Sequence, residues 1–206
     1  RFETVPPTYQ FVKGLLRNVK DLQIDSDHMM AISPDEGATG RAIYLANVLG
    51  LDMGMFYKRR DYTRIVDGRN PIVAHEFLGS SVEGKDVIII DDMISSGDSI
   101  LDVAKQLKAR KANRIFAAAT FGLFTNGMKK FDEAYEQGII HGILTTNLIY
   151  QTPELLSKPY YINCDLSKYI ALIIDTLNHD GSISSILSPN ERIQNVVKKY
   201  RNGEKI

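Results

Sequence analysis

Residues 87–100 constrain the fold more than any other part of the chain. Four β-branched apolar residues at the start of this stretch predict a strand that is buried on both faces. The adjacent carboxylates of Asp91 and Asp92 come next, followed by a short loop of hydroxyls with one glycine. From Ser99 onward, apolar residues return at the spacing of a helix face. The stretch therefore predicts a strand–loop–helix unit of the kind found in α/β sheets.

The chemistry of this loop suits a sugar phosphate. Small residues that lead into a helix N-terminus present backbone N–H groups and the positive end of the helix dipole to a phosphate, and serine hydroxyls add donors. Ionised Asp91 and Asp92 only accept hydrogen bonds, so they suit vicinal sugar hydroxyls or a hydrated Mg²⁺. The alternative is an ordinary strand–turn–helix in which Ser99 is a plain N-cap. The candidate phosphate residues are Ser95, Ser96, Gly97, Asp98 and Ser99.

A second strand–loop–helix unit begins at Met29–Ile32 and continues through a small-residue loop to Arg41. Asp35 in this loop is a candidate ligand for a divalent metal, and Arg41 is a candidate partner for a phosphate oxygen. The competing interpretation is a helix that Asp35 or Thr39 simply caps.

Composition restricts the class of protein. The 206 residues, 44% of them hydrophobic, suffice for one large or two small domains. Twenty-five basic residues balance twenty-five acidic ones, which argues against nucleic acid as the main partner. No apolar run reaches the roughly 18 residues of a membrane span. The single cysteine, Cys164, is expected to be a buried thiol in a reducing, cytoplasmic protein. Because the chain begins at Arg1 rather than Met, it is expected to be a fragment or a processed product.

The rest of the chain alternates between strand and helix patterns, which predicts a mostly parallel α/β sheet with helices on both faces. Because ligands bind beyond the carboxyl ends of such strands, the Asp35 and Asp91 loops should face one crevice. A long loop is predicted from Lys58 to about Pro71. Further strands are predicted at Met53–Tyr57, Val73–Leu78, Ile115–Thr120, Ile143–Thr146 and Tyr161–Cys164. Helices are predicted from Pro6 to about Val19, at Arg41–Leu49, from Ser99, at Lys129–Glu136 and at Leu166–Leu177.

Residues 91–99 resemble the phosphoribosyl-binding loop of the phosphoribosyltransferase and PRPP synthetase superfamily. Ser33-Pro34-Asp35-Glu36-Gly37-Ala38 resembles the Ser-Pro-Asp-x-Gly-Gly loop of ribose-phosphate diphosphokinase (PRPP synthetase), which binds diphosphate and a metal. The resemblance implies that Asp35, Gly37 and Arg41 bind diphosphate and that Asp35 holds Mg²⁺. Ala38 replaces the second glycine of that loop, which would cost strain if the backbone there needed a positive φ.

Tyr57-Lys58-Arg59-Arg60 resembles the start of a mobile loop in the same family, where a Lys-x-Arg pair closes over the triphosphate. This implies a catalytic role for Lys58 and Arg60, because cations offset charge that shifts across phosphoryl oxygens during transfer. Taken alone, the three cations are more typical of a solvated strand end. The pair Lys129-Lys130 is likewise expected on a solvated helix face.

The resemblance covers nearly the whole chain in the family's order, because three further segments match the C-terminal half of the synthetase. They are Thr145-Thr146-Asn147, Asp165-Leu166-Ser167 and the ending from Asn178 to Ser184. In the sugar-phosphate loop, however, the glycine lies one place earlier than in the synthetases. Asp98 also adds a negative charge near the phosphate, and its side chain is expected to point to a cation or to solvent.

The resemblance implies an enzyme that makes PRPP and AMP from ribose 5-phosphate and MgATP, and that forms homo-oligomers as a full-length protein. Residues 1–188 would be its phosphoribosyltransferase-like domain, and residues 189–206 a helical tail that packs on a part of the protein outside this chain. A preceding domain would supply most of the adenine site, so the chain alone would be nearly inactive. Two alternatives remain open, a type I phosphoribosyltransferase and a non-catalytic regulator with the same fold.

Overall fold

The computed structural model describes residues 4–60, 63 and 72–206, which form a single seven-stranded sheet with helices on both faces. The strands are β1 (Met29–Ser33), β2 (Asp52–Arg60), β3 (Ile72–Leu78), β4 (Asp86–Ile94), β5 (Ile115–Gly122), β6 (Gly142–Thr146) and β7 (Tyr161–Cys164). Their order across the sheet is β3-β2-β1-β4-β5-β6-β7. Neighbouring strands are parallel except for the antiparallel pair β2 and β3. The predicted class of fold is therefore confirmed.

The helices are α1 (Thr8–Asn18), α2 (Thr39–Leu49), α3 (Asp98–Ala109), α4 (Lys129–Glu136), α5 (Pro153–Leu156), α6 (Ser167–Asn178), α7 (Ser184–Leu187) and α8 (Asn190–Arg201). Apolar residues of α1, α2 and α8 share one core with one face of the sheet. Residues of α3, α4 and α5 fill a second core on the opposite face. None of the helices in the described residues is both long and apolar enough to cross a membrane.

The central strand β4 has the double burial that its sequence predicts. Ile88 and Ile90 face the core beneath α1 and α2, whereas Val87 and Ile89 face the core beneath α3 and α4. All four side chains are at most 2% exposed. The sheet is therefore anchored at its centre by the strand that leads into the candidate phosphate loop.

Two strands are longer than predicted. The expected end of β4 at Ile90 is wrong, because β5 runs on to Gly122 and pairs with β4 as far as Ile94. The expected start of a loop at Lys58 is also wrong, because β3 pairs with β2 as far as Arg60. Most of the remainder of that predicted loop lies outside the described residues.

The C-terminal tail packs on this chain itself. Ile193, Val196 and Val197 of α8 are buried in the core that α1 and α2 share. Tyr44 of α2 donates a hydrogen bond of 2.7 Å to Asn190 Oδ1 at the start of α8. The expectation that the apolar face of the tail packs on a part of the protein outside this chain is therefore wrong.

Cys164 is the buried thiol that the sequence predicts. Burial raises the pKa of this thiol to about 12, so it is protonated at neutral pH. Gly14 of α1 lies against it so closely that a Cβ at residue 14 would be 2.8 Å from the sulfur. The thiol therefore packs between helix and sheet, and a nucleophilic role is not supported.

Candidate active site

The candidate site lies where the strand order of the sheet reverses. From β1 the chain moves outward to β2 on one side, and β4 then pairs with β1 on the other side. A reversal of this kind opens a crevice beyond the carboxyl ends of the two central strands. The pairing of β1 with β4 ends at Ile32 and Ile89, so the later residues of β4 extend beyond their pairing with β1. Both candidate loops therefore start at this crevice.

A direct contact joins the two loops. Arg41 Nη2 lies 3.4 Å from Asp92 Oδ2, and Arg41 Nη1 donates a hydrogen bond of 3.5 Å to the carbonyl of Gly37. Both charged side chains remain about half exposed, so their ion pair contributes little stability. The pair nevertheless shows that the predicted diphosphate and sugar residues converge on one crevice.

Hydrogen bonds fix the loop that follows β1. Ser33 Oγ donates a bond of 2.6 Å to the carbonyl of Asp35, and the backbone N–H of Ala38 donates a bond of 3.2 Å to Asp35 Oδ1. Asp35 therefore also has the local capping role that competes with metal binding in the sequence interpretation. Ala38 has a φ of −90°, so its replacement of a glycine causes no backbone strain.

Negative charge is concentrated at Asp91. Burial, and after it the nearby carboxylates of Asp92 and Asp35, raise the pKa of Asp91 to about 6. The N–H of Asp92 opposes this rise by donating a bond of 2.8 Å to Asp91 Oδ1. Asp91 is partly buried and Asp92 is exposed. The carboxylates of Asp92 and Asp35 both lie within electrostatic reach of Asp91, which favours a hydroxyl donor or a cation nearby.

The described residues contain no group of three or more His, Cys, Asp or Glu side chains arranged to hold a metal ion. Magnesium seldom needs such a cage, since one or two carboxylates together with substrate phosphates usually hold it. One or two of the carboxylates of Asp35, Asp91 and Asp92 would fit that mode of binding, because Asp92 and Asp35 lie close enough to Asp91 to add, after burial, to the rise in its pKa.

The candidate phosphate loop turns at Gly97, which has a φ of +84°. A Cβ at this position would lie 2.2 Å from the ring of Phe131 in α4, so a glycine is required both for the turn and for the close approach. Gly97 is also the N-cap of α3, and Asp98 is its first residue. The alternative in which Ser99 is the N-cap is therefore wrong, because Ser99 lies within the first turn.

Asp98 points to a cation, one of the two outcomes expected for it. Lys130 Nζ of α4 donates to Asp98 Oδ1 at 2.6 Å, and Ser96 Oγ donates to Asp98 Oδ2 at 3.0 Å. The hydrogen bond from Lys130 is the main cause that lowers the pKa of Asp98. Sequence reasoning placed Lys130 on a solvated helix face. The unusual acid in the loop was the signal that pointed to a cationic partner.

Lys58 and Arg60 lie in the last part of β2. The pairing of β2 with β1 ends at Met55, so both residues extend past the end of β1 toward the carboxyl edge of the sheet. Here β2 pairs with β3 alone, with a register shift between Arg59 and Arg60. Their side chains lie outside what the structure describes, so their proposed contact with a triphosphate is untested.

Hydrogen bonds join the segments at the ends of β6 and β7. Asn147 Nδ2 donates to Asp165 Oδ1 at 2.7 Å and to Ser167 Oγ at 2.9 Å, and the N–H of Leu166 donates to Asn147 Oδ1 at 2.8 Å. These bonds fasten the start of α6 to the end of β6. The Thr-Thr-Asn and Asp-x-Ser segments therefore have a structural role in this chain.

Comparison with a solved structure shows what fold the chain shares. The crystal structure of phosphoribosylpyrophosphate synthetase from Mycobacterium smegmatis matches 84% of this chain and 50% of that chain, with a TM-score of 0.64 and 20% sequence identity. This match shows that the chain has the fold of a mostly parallel α/β domain with a crevice at the strand reversal.

The chain belongs to the family described as the phosphoribosyl synthetase-associated domain, whose model matches residues 65–188. Curated relatives named ribose-phosphate pyrophosphokinase are 31% identical over 163 residues in Shewanella oneidensis and 30% identical over 173 residues in Mycoplasma genitalium. These alignments cover 79% and 84% of this chain and 49% of each relative. The chain therefore spans about half the length of the relatives that it matches.

Proposed function

We propose that this chain provides the ribose 5-phosphate and diphosphate sites of a ribose-phosphate diphosphokinase, which makes PRPP and AMP from ribose 5-phosphate and MgATP. The observation that carries the proposal is the convergence of the Asp35–Arg41 loop and the Asp91–Ser99 loop on one crevice, where Arg41 and Asp92 are 3.4 Å apart. The names of the relatives agree with this chemistry.

In this proposal the second loop binds ribose 5-phosphate. The N-terminus of α3, together with Ser95, Ser96, Gly97 and Ser99, binds the 5-phosphate through N–H and hydroxyl donors. Asp91 and Asp92 accept hydrogen bonds from the ribose hydroxyls. The raised pKa of Asp91 makes it an acceptor above about pH 6 and a proton donor below that value.

The first loop binds the diphosphate. The backbone around Gly37, the start of α2 and the guanidinium of Arg41 would offer donors to its oxygens. Asp35 is proposed to hold Mg²⁺. When bound, magnesium neutralises phosphate charge. Arg41 would exchange its exposed contact with Asp92 for a diphosphate oxygen, at little cost in stability because that contact is solvated.

The transfer itself needs positioning and charge stabilisation rather than a covalent enzyme intermediate. The O1 hydroxyl of ribose 5-phosphate attacks the β-phosphorus of ATP and loses its proton, and the bond from that phosphorus to the oxygen of the departing AMP breaks. Lys58 and Arg60 offset the charge on the phosphoryl oxygens in the transition state.

The proposal extends to the whole protein. Residues 1–188 would be the phosphoribosyltransferase-like domain and residues 189–206 its C-terminal helical tail. Most of the adenine site is proposed to lie outside this chain, which spans about half the length of its relatives. The full-length protein is proposed to be a cytoplasmic homo-oligomer that needs neither nucleic acid nor a membrane.

The test is the double substitution Lys58→Ala with Arg60→Ala in the full-length protein. Turnover should fall by at least about a thousandfold, since cationic groups of this kind contribute heavily to phosphoryl transfer. Substitution of the exposed pair Lys198 and Lys199 in α8 by alanine is the matched control and should leave turnover unchanged. Retained activity in the first variant would refute the mechanism. Base-dependent cleavage of PRPP would instead identify a phosphoribosyltransferase, and sugar-phosphate binding without turnover would identify a regulator.

A further inference from the structure

The proposed phosphate loop contains an acid close to the position where the phosphate would bind. Asp98 is the first residue of α3, the helix whose N-terminus faces that position. A carboxylate and a phosphate both favour the positive end of a helix dipole, and they repel each other. An uncompensated Asp98 would therefore weaken the binding of any phosphate at this loop.

The charge of Asp98 is compensated from outside the loop. Lys130 Nζ lies 2.6 Å from Asp98 Oδ1, while Ser96 Oγ donates to the other carboxylate oxygen at 3.0 Å. More than half of each charged side chain is exposed, at 53% for Lys130 and 59% for Asp98. The pair therefore contributes little to stability, and its main consequence is electrostatic.

Packing fixes the distance between α4 and the loop. Phe131, the neighbour of Lys130, is fully buried, and its ring occupies the space that a Cβ on Gly97 would take. Phe124 supports that ring edge-on, with the two ring centres 5.3 Å apart. This contact keeps the ammonium of Lys130 within reach of Asp98, and both residues line the groove between α3 and α4.

We propose that Lys130 is a positioning residue of the phosphate loop, which holds the Asp98 carboxylate on the α4 side and neutralises it so that the loop can accept a phosphate. The inference rests on the proposed function, because it assumes a phosphate at the N-terminus of α3. Lys130 acts through Asp98 and makes no contact with the ligand.

Titration calorimetry of the full-length protein with ribose 5-phosphate and with inorganic phosphate tests this role. Lys130→Met should weaken the binding of both ligands by about threefold to tenfold, because the negative charge of Asp98 near the phosphate is then no longer balanced. Lys129→Met removes the same charge from the next position of α4 and should change the affinity by less than about twofold. Lys130→Arg should also retain affinity, since it keeps the cation.

Removing the acid separates this role from a direct one. Asp98→Asn should bind phosphate at least as tightly as the unchanged protein, and Asp98→Asn with Lys130→Met should recover the affinity that Lys130→Met loses. The loss in Lys130→Met should also shrink when the ionic strength rises from about 0.01 to about 0.5 M, an effect that a purely structural defect would not have.

Each outcome decides between the two proposals. A loss that persists in the double variant, or an equal loss in Lys129→Met, overturns the inference about Lys130. The predicted pattern with inorganic phosphate, without any binding of ribose 5-phosphate, supports the inference and rejects the proposed substrate. If ribose 5-phosphate binds with an affinity that none of these substitutions changes, only the inference about Lys130 is rejected. If neither ligand binds, both the inference and the proposed function are rejected.

Discussion

Gly97 is the residue at which sequence, loop shape and packing depend most directly on one another. Its φ of +84° disfavours any residue with a Cβ, and the fully buried ring of Phe131 fills the adjacent space. Gly97→Ala should therefore lower the free energy of unfolding by about 2–5 kcal/mol, combining left-handed strain with overpacking. Urea denaturation measures this loss.

Gly127→Ala is the matched control for that substitution. Gly127 also has a positive φ, of +72°, but within the described part of the chain a Cβ there would meet nothing closer than 4 Å beyond its chain neighbours. Gly127→Ala should therefore lower the free energy of unfolding by about 1–2 kcal/mol, from backbone strain alone. Equal losses in the two variants would contradict the conclusion that Phe131 shapes the phosphate loop.

Asp91 should make stability depend on pH. Its pKa is about 6 in the folded protein against 3.8 ordinarily, so between these values the folded chain holds a proton that the unfolded chain has released. The free energy of unfolding therefore falls as the pH rises through this window. The free energy of unfolding of Asp91→Asn, relative to that of the unchanged protein, should therefore be about 1–2 kcal/mol higher at pH 7 than at pH 4. This figure is reduced because Asp91 is partly exposed. An unchanged difference at the two pH values would contradict the raised pKa.

At the residue scale, local sequence could identify the candidate ligands but not the partners that position them. The carboxylates, hydroxyls and glycine of the phosphate loop are contiguous, so their shared chemistry is visible in the sequence. The pairing of Asp98 with Lys130 joins residues 32 positions apart, and only the docking of α4 brings them together. The packing of the Phe131 ring against Gly97 depends on the same docking of α4.

At the element scale, the predicted strands and helices were largely right because burial patterns are local, and the errors arose where a distant strand extends the pairing. The acids of β4 broke its apolar run, yet β5 continues the hydrogen-bonded ladder to Ile94. The cations at the end of β2 suggested a loop, yet β3 pairs with them. Both extensions depend on a strand that follows later in the chain, which a local pattern does not reveal.

Helix α8 offers a test of how an element beyond the family match stabilises the domain. The family match ends at residue 188, whereas Ile193 of α8 is completely buried against the core of α1 and α2. Ile193→Ala should lower the free energy of unfolding by about 2–5 kcal/mol, because it removes buried contacts and leaves a cavity. Lys198→Ala, on the exposed face of the same helix, should change it by less than about 0.5 kcal/mol. If chemical denaturation showed that Ile193→Ala costs as little as Lys198→Ala, α8 would not be part of the folding unit.

At the scale of the whole molecule, two cores on opposite faces of the sheet hold the two ligand loops at one edge. The proposed phosphate- and sugar-binding groups therefore all lie in this chain, which spans about half the length of its relatives. Binding and turnover should consequently be separable. The chain alone should bind ribose 5-phosphate weakly, and it should turn over almost none of it.

Phosphorus NMR of this chain with ribose 5-phosphate and MgATP can separate the two activities in one sample. The resonance of ribose 5-phosphate should shift or broaden as the chain is added, while signals of AMP and PRPP should stay absent. Asp91→Asn with Asp92→Asn should weaken ribose 5-phosphate relative to inorganic phosphate, because each side chain exchanges a charged acceptor oxygen for an amide NH₂ and the sugar hydroxyls lose their charge-assisted hydrogen bonds. Accumulation of AMP and PRPP would contradict the proposal that most of the adenine site lies outside this chain. It would also mean that the crevice between β1 and β4 suffices for the complete transfer.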